Sequence, residues 1–217
     1  LTEGRKLLGF MEQYFGANLQ SAMEYRGAFI SQVVFMFINN VMLLFFWWVL
    51  FSKIDSLNGW SFSHILLLYA FVSGSYAAQA LLFGGSFTIS TAIADGRLDF
   101  YLTTPKPILL HLVISRSSAP AWGDALFALL IYALAARPSL LGMVAFVLLC
   151  FTGGLVMTSF AVITHSLSFW LGHSANLAGQ LYEALLSLSM YPEGIFTLST
   201  RVILYTLIPA GFVSYLP

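Results

Sequence analysis

Charge is what this 217-residue chain has least of: Asp, Glu, Lys and Arg together make up 8% of it, against roughly 25% in soluble domains. A water-facing surface cannot be built from so few ionic groups, which excludes an ordinary soluble domain. Nine basic residues cancel nine acidic ones, so no field exists to attract nucleic acid and no polybasic clamp for anionic lipid. The single cysteine, Cys150, excludes an intrachain disulfide, and its place within an apolar run reads as a small buried residue. The glycine pairs Gly84-Gly85 and Gly153-Gly154 lack the lysine that a phosphate-cradling loop needs. No Ser, His and Asp arrangement is legible, and His165 and His173, eight positions apart, are not spaced as metal ligands. Neither a metal nor a cofactor is expected in this chain.

What is there instead is apolar: 59% hydrophobic residues and a mean hydropathy of +0.86 predict an integral membrane protein. The expected fold is all-α and polytopic, with six membrane spans in a single transmembrane domain over 1–217. Residues 28–51 and 61–83 each supply the roughly twenty residues that cross about 30 Å of hydrocarbon. Span three, 110–136, begins with His111 and Arg116 and carries Pro120, which predicts an interfacial start and a kink. Arg116 reads as a snorkelling residue, whereas Asp124 lies deeper and has no partner at four-residue spacing. Span four, 139–171, is too long for a straight crossing, and Gly153-Gly154 is the expected bend. Spans five and six are 174–191 and 199–217. Trp47, Trp48 and Trp60 flank the turn at 53–59 as an aromatic belt, and Asn39 and Asn40 are expected buried, bonding a neighbouring helix.

Two stretches are amphipathic. Over 1–26, Leu8, Met11, Phe15, Leu19 and Ala22 share one helical face, which predicts an interfacial elbow helix running into the first span. No cleavable signal pattern precedes that span, so it is expected to direct insertion itself, and the start at Leu1 and end at Pro217 lead us to expect further terminal residues. The segment 84–107 is the only extended polar stretch between long apolar runs, and must sit at one membrane face. Its Phe87, Ile89, Ala92, Ile93 and Leu98 recur at helical spacing, and Asp95, Arg97 and Asp99 gather around Gly96, a helix stop. By composition alone such a helix is as well suited to lying on lipid headgroups as to meeting a protein.

The order and spacing of Ile93, Gly96, Leu98, Asp99, Leu102 and Pro105 match an I-x-x-G-x-L-D-x-x-L-x-x-P pattern. With it the chain resembles the permease subunits of ABC transporters of the type-two, exporter-like class. Glu24-Tyr25-Arg26 before the first span extends the likeness, as do Tyr191-Pro192-Glu193-Gly194-Ile195-Phe196 and Ile208-Pro209-Ala210 towards the end. The resemblance implies that 84–107 is a cytoplasmic coupling segment where an ATPase docks, through Ile93, Asp95, Gly96, Arg97, Leu98 and Asp99. It also implies ATP and Mg on separate ATP-binding cassette subunits, a second copy or a homologous permease as partner, and a permease that is not by itself an enzyme. The direction it implies is export.

Span five carries a polar face, Asn176, Gln180, Glu183 and Ser187, at steps of four, three and four. A charge within a bilayer costs about 2.5–3.5 kcal/mol on insertion scales, so this face should turn towards protein or water, either packing between helices or lining a translocation route. Counting Lys and Arg by side gives six (Arg5, Lys6, Arg26, Arg97, Lys106, Arg116) against three (Lys53, Arg137, Arg201). That bias puts both termini in the cytoplasm of a multi-pass plasma (inner) membrane protein. The rivals from other classes are a membrane-embedded enzyme using Glu183, Asp124 and either His165 or His173, and an ion-coupled transporter.

Overall fold

A computed structural model describes residues 2–216, the side chains of Thr2, Glu3, Gly4 and Lys6 excepted, so that residues 1 and 217 of the expected elbow and last span lie outside it. Among the described residues the only extended pairing is a bridge between Leu57 and Trp60 in the first turn; the rest of the ordered backbone is helical.

The stretch expected as an elbow is helical, α1, Thr2–Met23. Phe10, Met11 and Tyr14 turn towards a cluster around Leu112 and Ile114, while Leu8 of the expected stripe is 67% exposed. The chain then turns at Glu24 and Tyr25 into α2, Arg26–Phe51. Most of the apolar side chains of α2 face outward, as lipid-facing residues do, and only Asn40, Leu44 and Trp47 are buried. Asn39, expected inside with Asn40, is exposed, because one helical step carries it about 100° off the packed edge. The tryptophans divide in the same way: Trp47 is buried and donates to the Tyr69 hydroxyl at 2.8 Å, and Trp48 points outward.

At the centre stands α3, Phe62–Leu82, packed against both later long helices. Its Ser73, Gly74, Ser75, Ala77 and Ala80 let backbones approach closely, the usual means of helix association where lipid supplies no hydrophobic drive. The expected third span is interrupted outright. It comprises α6, Ile108–Ile114, and α7, Ala121–Ala136, separated by a stretch that ends at Pro120 and is tied to α3 by Ser118 N–H donating to the Ala80 carbonyl at 2.9 Å.

Span four is α8, Leu140–Ser166, capped by Ser139 accepting from the Gly142 N–H at 3.2 Å, and it is continued after Leu167 by α9, Ser168–Leu171. The helix runs unbroken through Gly153-Gly154, where a bend was expected. Those glycines are instead the contact with α3: a Cβ on Gly154 would lie 2.9 Å from the Ser75 carbonyl oxygen, and one on Gly153 would strike the Ser75 hydroxyl. The remainder is α10, Ala175–Ser189, a 3₁₀ turn at Glu193–Ile195, α11, Leu198–Thr206, and α12, Ala210–Ser214, beyond the break at Pro209.

Three helices among the described residues are long and apolar enough to cross a membrane: Arg26–Phe51, Phe62–Leu82 and Leu140–Leu171. The third, fifth and sixth expected spans are shorter or broken; α10, with 15 residues, extends only about 22 Å. All are nonetheless joined by one core, in which Trp47, Phe127, Met157, Leu185, Leu204 and Val213 meet.

Candidate functional site

After α3 the polar segment opens with a 3₁₀ turn, Gly84–Thr88, buried against α6. Two short helices follow: α4, Ile89–Ala94, and α5, Leu98–Leu102. Between them Gly96 adopts φ +67°, a left-handed conformation that glycine accepts without strain. The periodicity sorts the side chains as its pattern demands. Ile89 and Ala92 are buried, Phe87, Ile93 and Leu98 pack against the two neighbouring cores, and Asp95, Gly96, Arg97 and Asp99 are exposed. Arg97 pairs with Asp95 at 3.2 Å, each about half exposed, so solvent screens the pair and it adds little to stability. Beside these charges Phe100 and Leu102 are 64% and 61% exposed. The tip is thus both charged and greasy, which suits a protein surface better than water.

Buried hydrogen bonds fasten this segment to the helices around it. Gln79 on α3 donates its amide to Ser86 Oγ at 3.2 Å and accepts from the Tyr182 hydroxyl of α10. Ser90 on α4 donates to the His165 carbonyl at 3.2 Å and lies 2.7 Å from His165 Nδ1, at the end of α8. Thr104, just past α5, lies 3.2 Å from His111 Nδ1 on α6, and His111 Nε2 lies 2.7 Å from the Tyr14 hydroxyl of α1. Rings of Phe10, Tyr14 and Tyr101 stand edge-on around His111 at 4.9–5.4 Å. The segment is therefore tied to α3, α8, α10, α6 and α1 while its charged tip is left free.

The face of α10 formed by Asn176, Gln180, Glu183 and Ser187 is exposed along its length, and the opposite face, with Ala178, Tyr182, Leu185 and Ser189, is packed. None of the four is used within the chain's own core. Glu183 borders a groove of about 300 Å³ shared with Tyr76, Phe87, His165, Gly179 and Tyr182. The groove thus opens between the 84–107 segment, the end of α8 and the polar face of α10.

The residues of the enzyme rival are assembled only in part: Glu183 and His165 border the same groove, and Asp124 and His173 are not among its lining. Asp124 Oδ1 accepts from Asn40 Nδ2 at 2.7 Å, with Oδ2 left without a partner; His165 is engaged by Ser90; and His173 and Glu183 are exposed on separate elements. Sequence reasoning passed over Gln79, Ser86, Ser90, Tyr14 and Phe100. Only Phe100 carried a signal, an aromatic ring directly after Asp99 in an otherwise polar stretch.

An all-helical chain with membrane-length apolar helices, and a short polar helical segment held beneath them, is the architecture of a transporter's membrane domain. The family model for ABC-2 family transporter proteins matches residues 37–217, most of the chain, and the chain belongs to that family: it is an ABC transporter permease component. Comparison with curated proteins and with solved structures returned no match.

Proposed function

We propose that this chain is the permease subunit of an ATP-driven exporter, in which a second copy or a homologous permease completes the translocation route and separate ATPase subunits dock on 84–107. The observation that carries this reading is the coupling segment itself, with Asp95, Arg97, Asp99, Phe100 and Leu102 presented outward and Ser86, Ser90 and Thr104 anchored inward. A load applied at the tip is passed to α3, α8 and α10 through short, buried contacts. ATP-driven closure of two ATPases would bias the permease pair between inward-open and outward-open arrangements, because the closed ATPase pair binds one arrangement better than the other. ATP and Mg belong to those partners.

The outward polar face of α10 supports the second permease. A row of Asn176, Gln180, Glu183 and Ser187 turned to acyl chains would be costly, so protein or a wet route covers it. The membrane is the plasma (inner) membrane, with the coupling segment and both termini on the cytoplasmic side, as the Lys and Arg distribution favours. Co-purification of the tagged chain from its native membrane with an ATP-binding cassette ATPase, followed by ATP turnover with and without the permease, tests the proposal. ATPase that fails to associate, or that turns over ATP identically without the permease, would refute it.

A further inference from the structure

The groove between the coupling segment and α10 has a chemical bias. Its lining includes one carboxylate, Glu183, and three aromatic rings, Tyr76, Phe87 and Tyr182; neither Lys nor Arg is among the residues that border it. The rings form a contiguous set: Phe87 stands edge-on to Tyr182 with centroids 5.0 Å apart, and Tyr76 is 6.4 Å from Phe87. The remaining titratable group, His165, is held at 2.7 Å from Ser90 Oγ through Nδ1. The carboxylate and the aromatic rings are the features of the lining that attract positive charge. Negative ring faces beside a carboxylate are the recognition chemistry of alkylammonium groups. The volume, about 300 Å³, is at the small end of ligand sites and suits a single head group, with any apolar tail left outside along α10.

We propose that this groove is a loading subsite for an alkylammonium cation, whose head sits between Glu183 and the rings of Tyr76, Phe87 and Tyr182. The inference rests on the transport reading and names the substrate class for it. It also supplies a link to the motor, since Phe87 belongs to the coupling segment and His165 is bonded to Ser90 of the same segment. The cation can be carried by a free amphiphile or by a lipid headgroup, and the same chemistry serves both.

The test is equilibrium binding of radiolabelled benzyltrimethylammonium to the full chain in phosphatidylglycerol nanodiscs, with empty discs as background. Saturable binding is expected, displaced by unlabelled benzyltrimethylammonium but not by neopentylbenzene, its uncharged carbon isostere. Glu183→Gln should weaken it about tenfold, as loss of the ionic partner from a site of this kind implies. Gly179→Leu should abolish it, because a Cβ at Gly179 meets nothing within 4 Å and the longer side chain fills the groove without touching the fold. Adding phosphatidylethanolamine or phosphatidylcholine to the discs distinguishes the sources: competition with the probe assigns the site to a lipid headgroup, and no competition to a free cation. Displacement by neopentylbenzene as effective as by the cation, or absence of saturable binding to the wild-type chain, overturns the proposal without recourse to any variant; equal binding by both variants overturns it as well. Binding needs no ATP, so a failed transport reading would show itself separately, as an ATPase that neither associates nor responds to the permease.

Discussion

Tyr14 and His111 are 97 residues apart in the chain and 2.7 Å apart in space. The direction of the bond follows from its neighbours. Thr104 gives its hydroxyl proton to the Tyr101 carbonyl at 2.8 Å, so towards His111 Nδ1 it accepts, and Nδ1 carries the hydrogen. His111 Nε2 is then the acceptor for the Tyr14 O–H. Burial pushes the Tyr14 hydroxyl above its ordinary value, with Tyr101 adding to the shift, so it keeps its proton at neutral pH. Helix α1 is thereby bonded through one imidazole to Thr104, near the end of the 84–107 segment.

Removing only the Tyr14 hydroxyl should separate these two elements. Tyr14→Phe keeps the edge-on ring contacts and loses one hydrogen bond, worth about 1 kcal/mol. The expected outcome is unchanged ATPase association, a small drop in melting temperature, and a lower yield of transport per ATP hydrolysed. Wild-type coupling in Tyr14→Phe would show that the elbow only anchors the protein to the interface.

The docking tip should respond to two kinds of change independently. Asp95, Arg97 and Asp99 replaced together by alanine should leave insertion intact and weaken ATPase recovery in a pull-down, most clearly at low salt, where exposed charges act over the longest range. Phe100→Ser with Leu102→Ser should weaken recovery at every salt concentration, since the loss is of apolar contact. Full transport and recovery in the triple alanine variant would remove these charges from the docking surface.

Topology can be read with cysteines, because Cys150, the one native thiol, is buried. Ser56 and Thr103 are both exposed, the first in the turn that precedes α3 and the second beyond α5, which follows it. Ser56→Cys and Thr103→Cys should react with an impermeant maleimide from opposite sides, Ser56→Cys in intact cells and Thr103→Cys only in inverted vesicles. Labelling of both in intact cells would contradict a cytoplasmic coupling segment.

Periodicity made the helical segments around 28–51, 61–83 and 139–171 legible, because an apolar run of membrane length has few other solutions. Helical periodicity within 84–107 likewise sorted Ile89 and Ala92, which are buried, from Asp95 and Arg97, which are exposed. What stayed hidden was pairing. Asp124 has no sequence neighbour to bond, and nothing local could point to Asn40, 84 positions earlier. Ser90 and His165 are 75 positions apart, and a serine in a polar stretch carries no sign that it will be buried. Gly153-Gly154 was misread for a related reason. A glycine pair permits either a bend or a close approach, and only the presence of α3 at Ser75 and Ala78 decides between them.

The Asn40 and Asp124 pair should show an asymmetry between single and double replacement. Asp124 already has one oxygen without a partner, so Asn40→Leu strands the whole carboxyl in an apolar setting and should cost about 1–3 kcal/mol. Replacing both, Asn40→Leu with Asp124→Leu, removes the stranded group together with its donor and should recover much of that loss. Thermal unfolding in detergent gives the comparison. A double variant less stable than Asn40→Leu alone would mean that Asp124 has a further partner in the assembled transporter.

Gly85 offers the sharpest separation of folding from coupling. It lies where the 3₁₀ turn of the coupling segment presses on α6, and a Cβ there would collide with the Leu112 carbonyl oxygen and come within 2.9 Å of the Val113 carbonyl oxygen. Both obstacles are backbone, so the turn has to move away from α6; no rotamer change can make room. The movement falls on Ser86 next door, whose bond to Gln79 leads on to Tyr182. Gly85→Ala should therefore insert and express near normally, because the core around Phe127, Met157 and Leu185 is remote from the change. Its ATPase should still associate through the distant tip, yet permease-dependent ATP turnover should fall. Gly27→Ala, near the start of α2, where a Cβ meets nothing within 4 Å, is the matched control for adding a methyl group to a glycine. If Gly85→Ala coupled normally while its fold remained intact, the close seating of the turn on α6 would not be part of the transmission path, and the load would have to pass through Ser90 and His165 alone.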